Sequence, residues 1–173
     1  MQTIYLAGPE VFLPNALEVL NNAKKLCERF GFDALTPFDG EVTNQIKLAK
    51  ANQIFKENIS LIQRSDIVIA NCNPFRGACI DDGTAFEIGY AFGKGKRIFG
   101  YLKDNRSLPE IVMSKISTNA HDSGYAIDQD GYLLNEDFGN SINLMLEFSI
   151  LDSGGSLVLG NLETVLKLIQ GLD

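Results

Sequence analysis

Short β-branched and apolar runs alternate with amphipathic helical stretches along most of this chain. That alternation restricts the fold more than any other feature. Thr3-Ile4-Tyr5-Leu6-Ala7 reads as a buried strand, ended by Gly8-Pro9. Ala16, Leu20, Ala23, Cys27 and Phe30 recur at three- and four-residue spacing and predict a helix over 15–30, stopped by Gly31. Asp33 to Thr36 is a second strand, ended by Pro37. Ile46, Ala49, Phe55, Ile59 and Ile62 give a long helical pattern over 44–64. Asp66 to Ala70 and Arg97 to Leu102 are further strands, with a helix from Thr84 to Gly93 between them. Strands separated by helices imply a mainly parallel α/β sheet, right-handed crossovers and helices on both faces.

The remainder is less regular. Residues 103–131 are polar and define no element, and Ser141 to Leu151 is helical. Ser153-Gly154-Gly155-Ser156 reads as a flexible break before a last helix near Leu162 to Ile169. A length of 173 residues fits one core, so 1–173 is read as a single domain with a helical extension over about 152–173.

Charge and cysteine usage narrow the function. A net charge of −7 argues against a nucleic-acid surface, which needs clustered Lys and Arg, but not against small neutral substrates. No secretory leader is evident, and no apolar run reaches the roughly 20 residues of a membrane span. Cys27, Cys72 and Cys79 form no CxxC pair, and His121 is the single histidine, so a metal site is not expected. Cys27 falls on an apolar helical stripe, whereas Cys72 and Cys79 flank a loop and are open to reaction. His121 reads as a solvated loop residue, and a reducing cytoplasm is the expected location.

The segment Asp81-Asp82-Gly83-Thr84-Ala85-Phe86-Glu87-Ile88-Gly89-Tyr90-Ala91 carries the chemistry. Gly83 permits a turn, Thr84 is a good N-cap, and Glu87 stands three residues on, as a capping box requires. A Glu held in a first helical turn should stay ionised at neutral pH, which suits a nucleophile. Asp81 precedes it by six residues. Two carboxyl groups so placed can divide a glycosyl transfer, one attacking carbon and the other handling a proton. The same residues also read as an ordinary cap.

In an open α/β sheet, ligands bind beyond the carboxyl ends of the strands. Those ends carry Tyr5 and Gly8, Pro37-Phe38-Asp39, Asn71 to Arg76, and Tyr101, and the Asp81–Glu87 segment follows on the same side. Asn58 shares a helical face with Ile54 and Leu61. Its amide either bonds backbone in the core or hydrogen-bonds a heterocyclic base.

Together, Ile4-Tyr5-Leu6-Ala7-Gly8-Pro9 with Phe12, Asn58 eight residues before Asp66, Asp81 through Ala91, and Asn143-Leu144-Met145 resemble the nucleoside 2-deoxyribosyltransferases. The resemblance runs from the first strand to residue 145, and residues 152–173 add nothing to it. It implies a flavodoxin-like fold. It also implies transfer of 2-deoxyribose between nucleobases, without metal or organic cofactor, through a deoxyribosyl-enzyme that retains configuration. Glu87 then matches the nucleophile, Asp81 the group that protonates or hydrogen-bonds the leaving base, and Tyr5 the hydroxyl that orients the nucleophile. Gly8, Phe12, Phe38 and Asn58 are expected to bind substrate. Asn143 and Met145 match residues that reach a neighbouring subunit's site, in a dimer-based assembly that is often hexameric. By default Asn143 reads instead as an exposed or capping residue.

Two alternatives remain: an N-glycoside hydrolase acting on nucleosides or nucleoside 5′-monophosphates, and a non-catalytic nucleoside- or base-sensing module. Phosphate at the first strand's end is disfavoured in Gly8-Pro9-Glu10-Val11-Phe12, because Pro9 lacks an N–H and Glu10 is negative. Arg76 receives no firm role, and the adjacent Asp82 competes with Asp81 for the proton-carrying one.

Overall fold

The computed structural model describes residues 1–171. Its strands are β1 (Thr3–Ala7), β2 (Asp33–Leu35), β3 (Ile67–Asn71), β4 (Arg97–Leu102), β5 (Thr118–Ala120), β6 (Ala126–Asp128) and β7 (Leu157–Leu159). Its helices are α1 (Ala16–Arg29), α2 (Lys47–Arg64), α3 (Asp82–Gly93), α4 (Leu108–Met113), α5 (Leu144–Asp152) and α6 (Leu162–Gln170). One five-stranded sheet has the order β2-β1-β3-β4-β7, and every pair in it is parallel. From β1 the chain passes through α1 to β2, then crosses back through α2 to β3 on the other side of β1. This is the flavodoxin-like arrangement, with its switch point between β1 and β3.

Alternation along each strand sorts the core into two layers. Tyr5, Val68 and Ile98 face Leu61 and Ile62 of α2, Ile88 and Ala91 of α3, and Ile150 of α5. Ile4, Leu6, Ile69 and Phe99 face Cys27 of α1 and Val165, Leu166 and Ile169 of α6. A sheet covered on both faces needs apolar strands throughout, and Ile67 to Ala70 are all buried. Gly31 (φ 83°) follows α1 and turns the chain towards β2.

Four expectations change. Residues 103–131 contain α4, opened by a Ser107/Glu110 capping box, and the antiparallel β5–β6 ribbon. The last residues are not only helical: β7 pairs with Gly100 to Leu102 of β4, and α6 buries three side chains against the sheet. Gly154-Gly155 is no loose break, because a methyl on Gly155 would strike the Ile98 backbone of β4. Helix α2 also buries less than its pattern suggests. Ile46 and Phe55 are exposed, since the first turns of this crossover helix lie at the carboxyl edge of the sheet, beside a pocket.

Among the described residues no helix is long and apolar enough to cross a membrane. Cys27 and Cys72 are buried and Cys79 is exposed. Burial pushes the Cys27 thiol up to about 11 and the Cys72 thiol up to about 12, so Cys72 is a core residue and not a reactive one. His121 is exposed, with Nδ1 2.9 Å from the Ser123 hydroxyl.

Candidate active site

The carboxyl ends of β1 and β2 and the starts of α2 and α3 enclose a cavity of about 570 Å³. Gly8, Val11 and Phe12 line it after β1, and Pro37, Phe38, Gly40 and Val42 after β2. Lys50, Ile54 and Asn58 come from α2, and Asp81, Gly83 and Glu87 from the start of α3. Most of the wall is apolar, with two carboxyl groups, one amide and one ammonium converging on it. Such a composition suits a planar, mostly neutral ligand.

The two carboxyl groups do different work. Asp81, and not Thr84, is the N-cap of α3. Its Oδ2 accepts from the Thr84 amide at 2.9 Å and from the Thr84 hydroxyl at 3.0 Å. Asp is a stronger N-cap than Thr, and Asp81 stands three residues before Thr84 just as Thr84 stands three before Glu87. Because both bonds fall on Oδ2, Oδ1 is left for a ligand. Asp81 is 7 % exposed, so any charge it carries is poorly screened.

Glu87 is therefore freed from capping. It lies a turn further into α3 and points at β1, where the Tyr5 hydroxyl donates to its Oε1 at 2.6 Å. Tyr5 is fully buried beneath it. Glu87 does not keep the full ionisation expected of a first-turn carboxylate. Burial pushes its carboxyl up to about 7, the Tyr5 hydrogen bond opposes this, and the Asp81 charge adds to it. Burial, with Glu87 beside it, holds the Tyr5 phenol far above its ordinary range, so Tyr5 acts only as a neutral O–H donor. Near neutral pH the Glu87 carboxyl is divided between acid and carboxylate forms.

Asn58 Oδ1 is buried and has no hydrogen-bond partner among the described residues. Buried amide oxygens are rarely left so, and a ligand N–H or O–H would satisfy it. Phe12 stacks on Phe75 with centroids 5.1 Å apart. The Arg76 guanidinium lies 5.1 Å from the Phe12 centroid and 4.7 Å from that of Phe75. Arg76 thus holds the aromatic pair at the pocket's rim, from a backbone with φ 50°.

Of the residues singled out in the sequence, Gly8, Phe12, Phe38, Asn58, Asp81 and Glu87 line this one pocket, with Tyr5 under Glu87. Asn143 and Met145 do not line it. Asn143 is the N-cap of α5, accepting from the Met145 amide at 3.0 Å and donating to Glu136 at 3.0 Å. Met145 is 69 % exposed. Asp82 is exposed and absent from the pocket, which leaves Asp81 as the second carboxyl. Pro9 and Glu10 also lie outside, so the objection they raised to a phosphate does not apply here. Lys50 was missed. Its signal was the run Ile46, Lys50, Ile54, Asn58 at four-residue spacing on one helix face.

The chain is similar to known proteins over most of its length. Residues 4–145 match the family described as nucleoside 2-deoxyribosyltransferase. An uncharacterized protein of Schizosaccharomyces pombe is 33 % identical over 172 residues, spanning 88 % of this chain and 78 % of that one. A 2-desoxiribosyltransferase from Leishmania mexicana is 29 % identical, with a TM-score of 0.70 over 98 % of this chain and 97 % of its own. A conserved protein from Enterococcus faecalis, 23 % identical, has the same fold, with a TM-score of 0.64 over 100 % of this chain and 99 % of its own. The chain belongs to the nucleoside 2-deoxyribosyltransferase family.

Proposed function

We propose that this protein transfers 2-deoxyribose between nucleobases, with Glu87 as nucleophile and Asp81 as proton carrier. The observation that carries the reading is the Tyr5 hydroxyl held 2.6 Å from Glu87 Oε1, in the pocket that Asp81 also enters. The Leishmania mexicana protein of the same fold, named a 2-desoxiribosyltransferase, supports it.

Cleavage of an N-glycosidic bond places positive character on the sugar and negative charge on the base. The Glu87 carboxylate attacks the anomeric carbon as the carbon–nitrogen bond breaks. Its electron pair becomes the new ester bond, and the old bond pair leaves with the base. Asp81 gives that base a proton through the free Oδ1, while Oδ2 keeps the helix capped. A second base then attacks the anomeric carbon from the vacated face, the carbon–oxygen bond to Glu87 breaks with its electron pair returning to the carboxylate, and the base gives its proton back to Asp81. Two inversions give net retention. Tyr5 orients the attacking carboxylate, and Asn58 Oδ1 accepts a donor from the substrate. Phe12 and Phe38 flank the base. Asn143 and Met145 complete a neighbouring subunit's site in a dimer-based homo-oligomer, and the protein works in cytoplasmic nucleoside salvage.

Lys50 favours a second reading, hydrolysis of a nucleoside 5′-monophosphate, because it supplies a cation for phosphate in the same pocket. Incubation with deoxyinosine or its 5′-monophosphate and a panel of free bases, followed by chromatography, separates the readings. New nucleosides mean transfer, free hypoxanthine alone means hydrolysis, and neither means a sensing module. Absence of exchange with every base overturns the transferase reading.

A further inference from the structure

A second cavity opens at the same edge of the sheet on its opposite face. It measures about 940 Å³ and shares no lining residue with the Glu87 pocket. Strand alternation separates the two: Tyr5 faces α3, while its neighbour Leu6 faces α1. Leu6 and Ile69 form an apolar floor, with Val19, Leu20 and Ala23 of α1 as one wall. The mouth lies at the carboxyl ends of β1, β3 and β4, where open α/β sheets hold ligands.

The polar groups of this cavity are ordered. Glu10 Oε1 accepts from Asn71 Nδ2 at 2.6 Å and from the Tyr101 hydroxyl at 3.2 Å. A strand tyrosine thus meets a carboxylate here, as Tyr5 meets Glu87 on the other face. Burial, and then Glu10, holds the Tyr101 phenol above its ordinary range, so it stays a neutral hydroxyl. Oε2 of Glu10 takes no hydrogen bond from the described residues and remains an acceptor. Four cations, Arg29, Lys103, Arg106 and Lys115, line the cavity against two carboxylates, Glu10 and Asp104. Arg106 is paired with Asp104, while Lys103 and Lys115 are in no ion pair among the described residues. In a chain of net charge −7 this is a local reversal of sign.

We propose that this cavity is a second binding site, separate from the Glu87 pocket, for a phosphorylated nucleoside. The apolar floor takes the base. The Glu10–Tyr101 pair takes hydroxyl or N–H donors, as carboxylates take ribose hydroxyls in other α/β sheets. Lys103 and Lys115, which follow β4 and α4, take the phosphate there and not at the end of β1, where Pro9 and Glu10 disfavour one. The site stands apart from the transferase reading, since none of its groups enters that chemistry.

The test is calorimetric titration of the four 2′-deoxynucleoside 5′-monophosphates, and of inorganic phosphate, into Glu87→Gln protein. That background removes the reactive carboxylate, so no ligand is consumed. Saturable binding of one nucleotide per chain is expected, weakened about tenfold or more by Lys103→Glu with Lys115→Glu, and by several-fold with Tyr101→Phe. Inorganic phosphate should bind far more weakly. In a chain with native Glu87, the paired lysine reversal should leave base exchange unchanged. The proposal fails if no nucleotide saturates, or if phosphate alone binds as tightly. It also fails if binding survives the lysine reversal but is lost in Asn58→Leu, which would place the ligand in the Glu87 pocket.

Discussion

Glu87 is a carboxyl group held in the wrong solvent for its charge, and that gives a signed pH dependence. Its folded value, about 7, is above the ordinary 4.5. The folded state therefore holds the extra proton, and stability is lost as pH rises from the unfolded value through the folded one. Glu87→Gln removes the penalty. In urea titrations the variant should gain on the native protein between pH 5 and pH 8, by up to about 3 kcal/mol. Equal stability at both pH values would mean that Glu87 is solvated. Activity runs in the opposite direction, because the nucleophile must be ionised: kcat/KM should rise towards a midpoint near 7. Tyr5 lowers the Glu87 value by donating to it, so Tyr5→Phe should move that midpoint upward as well as slow the reaction. A slower enzyme with an unmoved midpoint would assign Tyr5 a packing role. Asp81→Asn keeps the helix cap, since Asn caps as well as Asp, but cannot donate the proton. It should slow poor leaving bases by about a hundredfold and readily departing ones much less. Uniform slowing would count against proton transfer.

At the scale of elements, legibility in the sequence followed signal length. The run at Ile67 is β-branched, that at Arg97 is mostly apolar and aromatic, and α1 repeats its apolar stripe over four turns, so these elements were placed closely. β7 has three residues, too few for a period, and only its pairing with β4 defines it. The start of α3 was misplaced because two overlapping caps share one spacing, and the choice between Asp81 and Thr84 depends on where Glu87 finds a partner. That partner is 82 residues away on β1, which no local pattern reveals. Lys50 was hidden because a Lys on a helix normally reads as solvated surface. The Gly154-Gly155 pair shows the opposite failure, a close approach read as slack. Gly155→Ala should cost about 2 kcal/mol or more, because backbone cannot yield as a side chain does. Gly93→Ala, with open space around it at the end of α3, should be neutral or gain about 0.5–1 kcal/mol. Equal denaturation midpoints for the two variants would restore the flexible-break reading.

At the scale of the whole molecule, α3 and α5 pack side by side and leave apolar groups outside. Phe86 is 51 % exposed, Met145 69 % and Phe148 50 %. Large apolar side chains clustered on adjacent helices mark a contact surface, and a second copy of the chain is the occupant proposed here. Asn143 then has two tasks. It caps α5 within its own chain, as the default reading has it, and on that proposal it also reaches substrate in the next. Asn143→Ser separates the tasks, because Ser keeps the cap but is too short to reach. Glu87→Gln and Asn143→Ser oligomers should each be nearly inactive. After dissociation and mixed reassembly, half of the dimers pair one variant with the other. Each such dimer has one site with both native residues and one with neither. Activity should therefore return to about a quarter of the native level. A mass-labelled copy of one variant would confirm that subunits exchanged. If they exchange and no activity returns, or if a monomeric form is fully active, Asn143 acts only as the cap of its own helix.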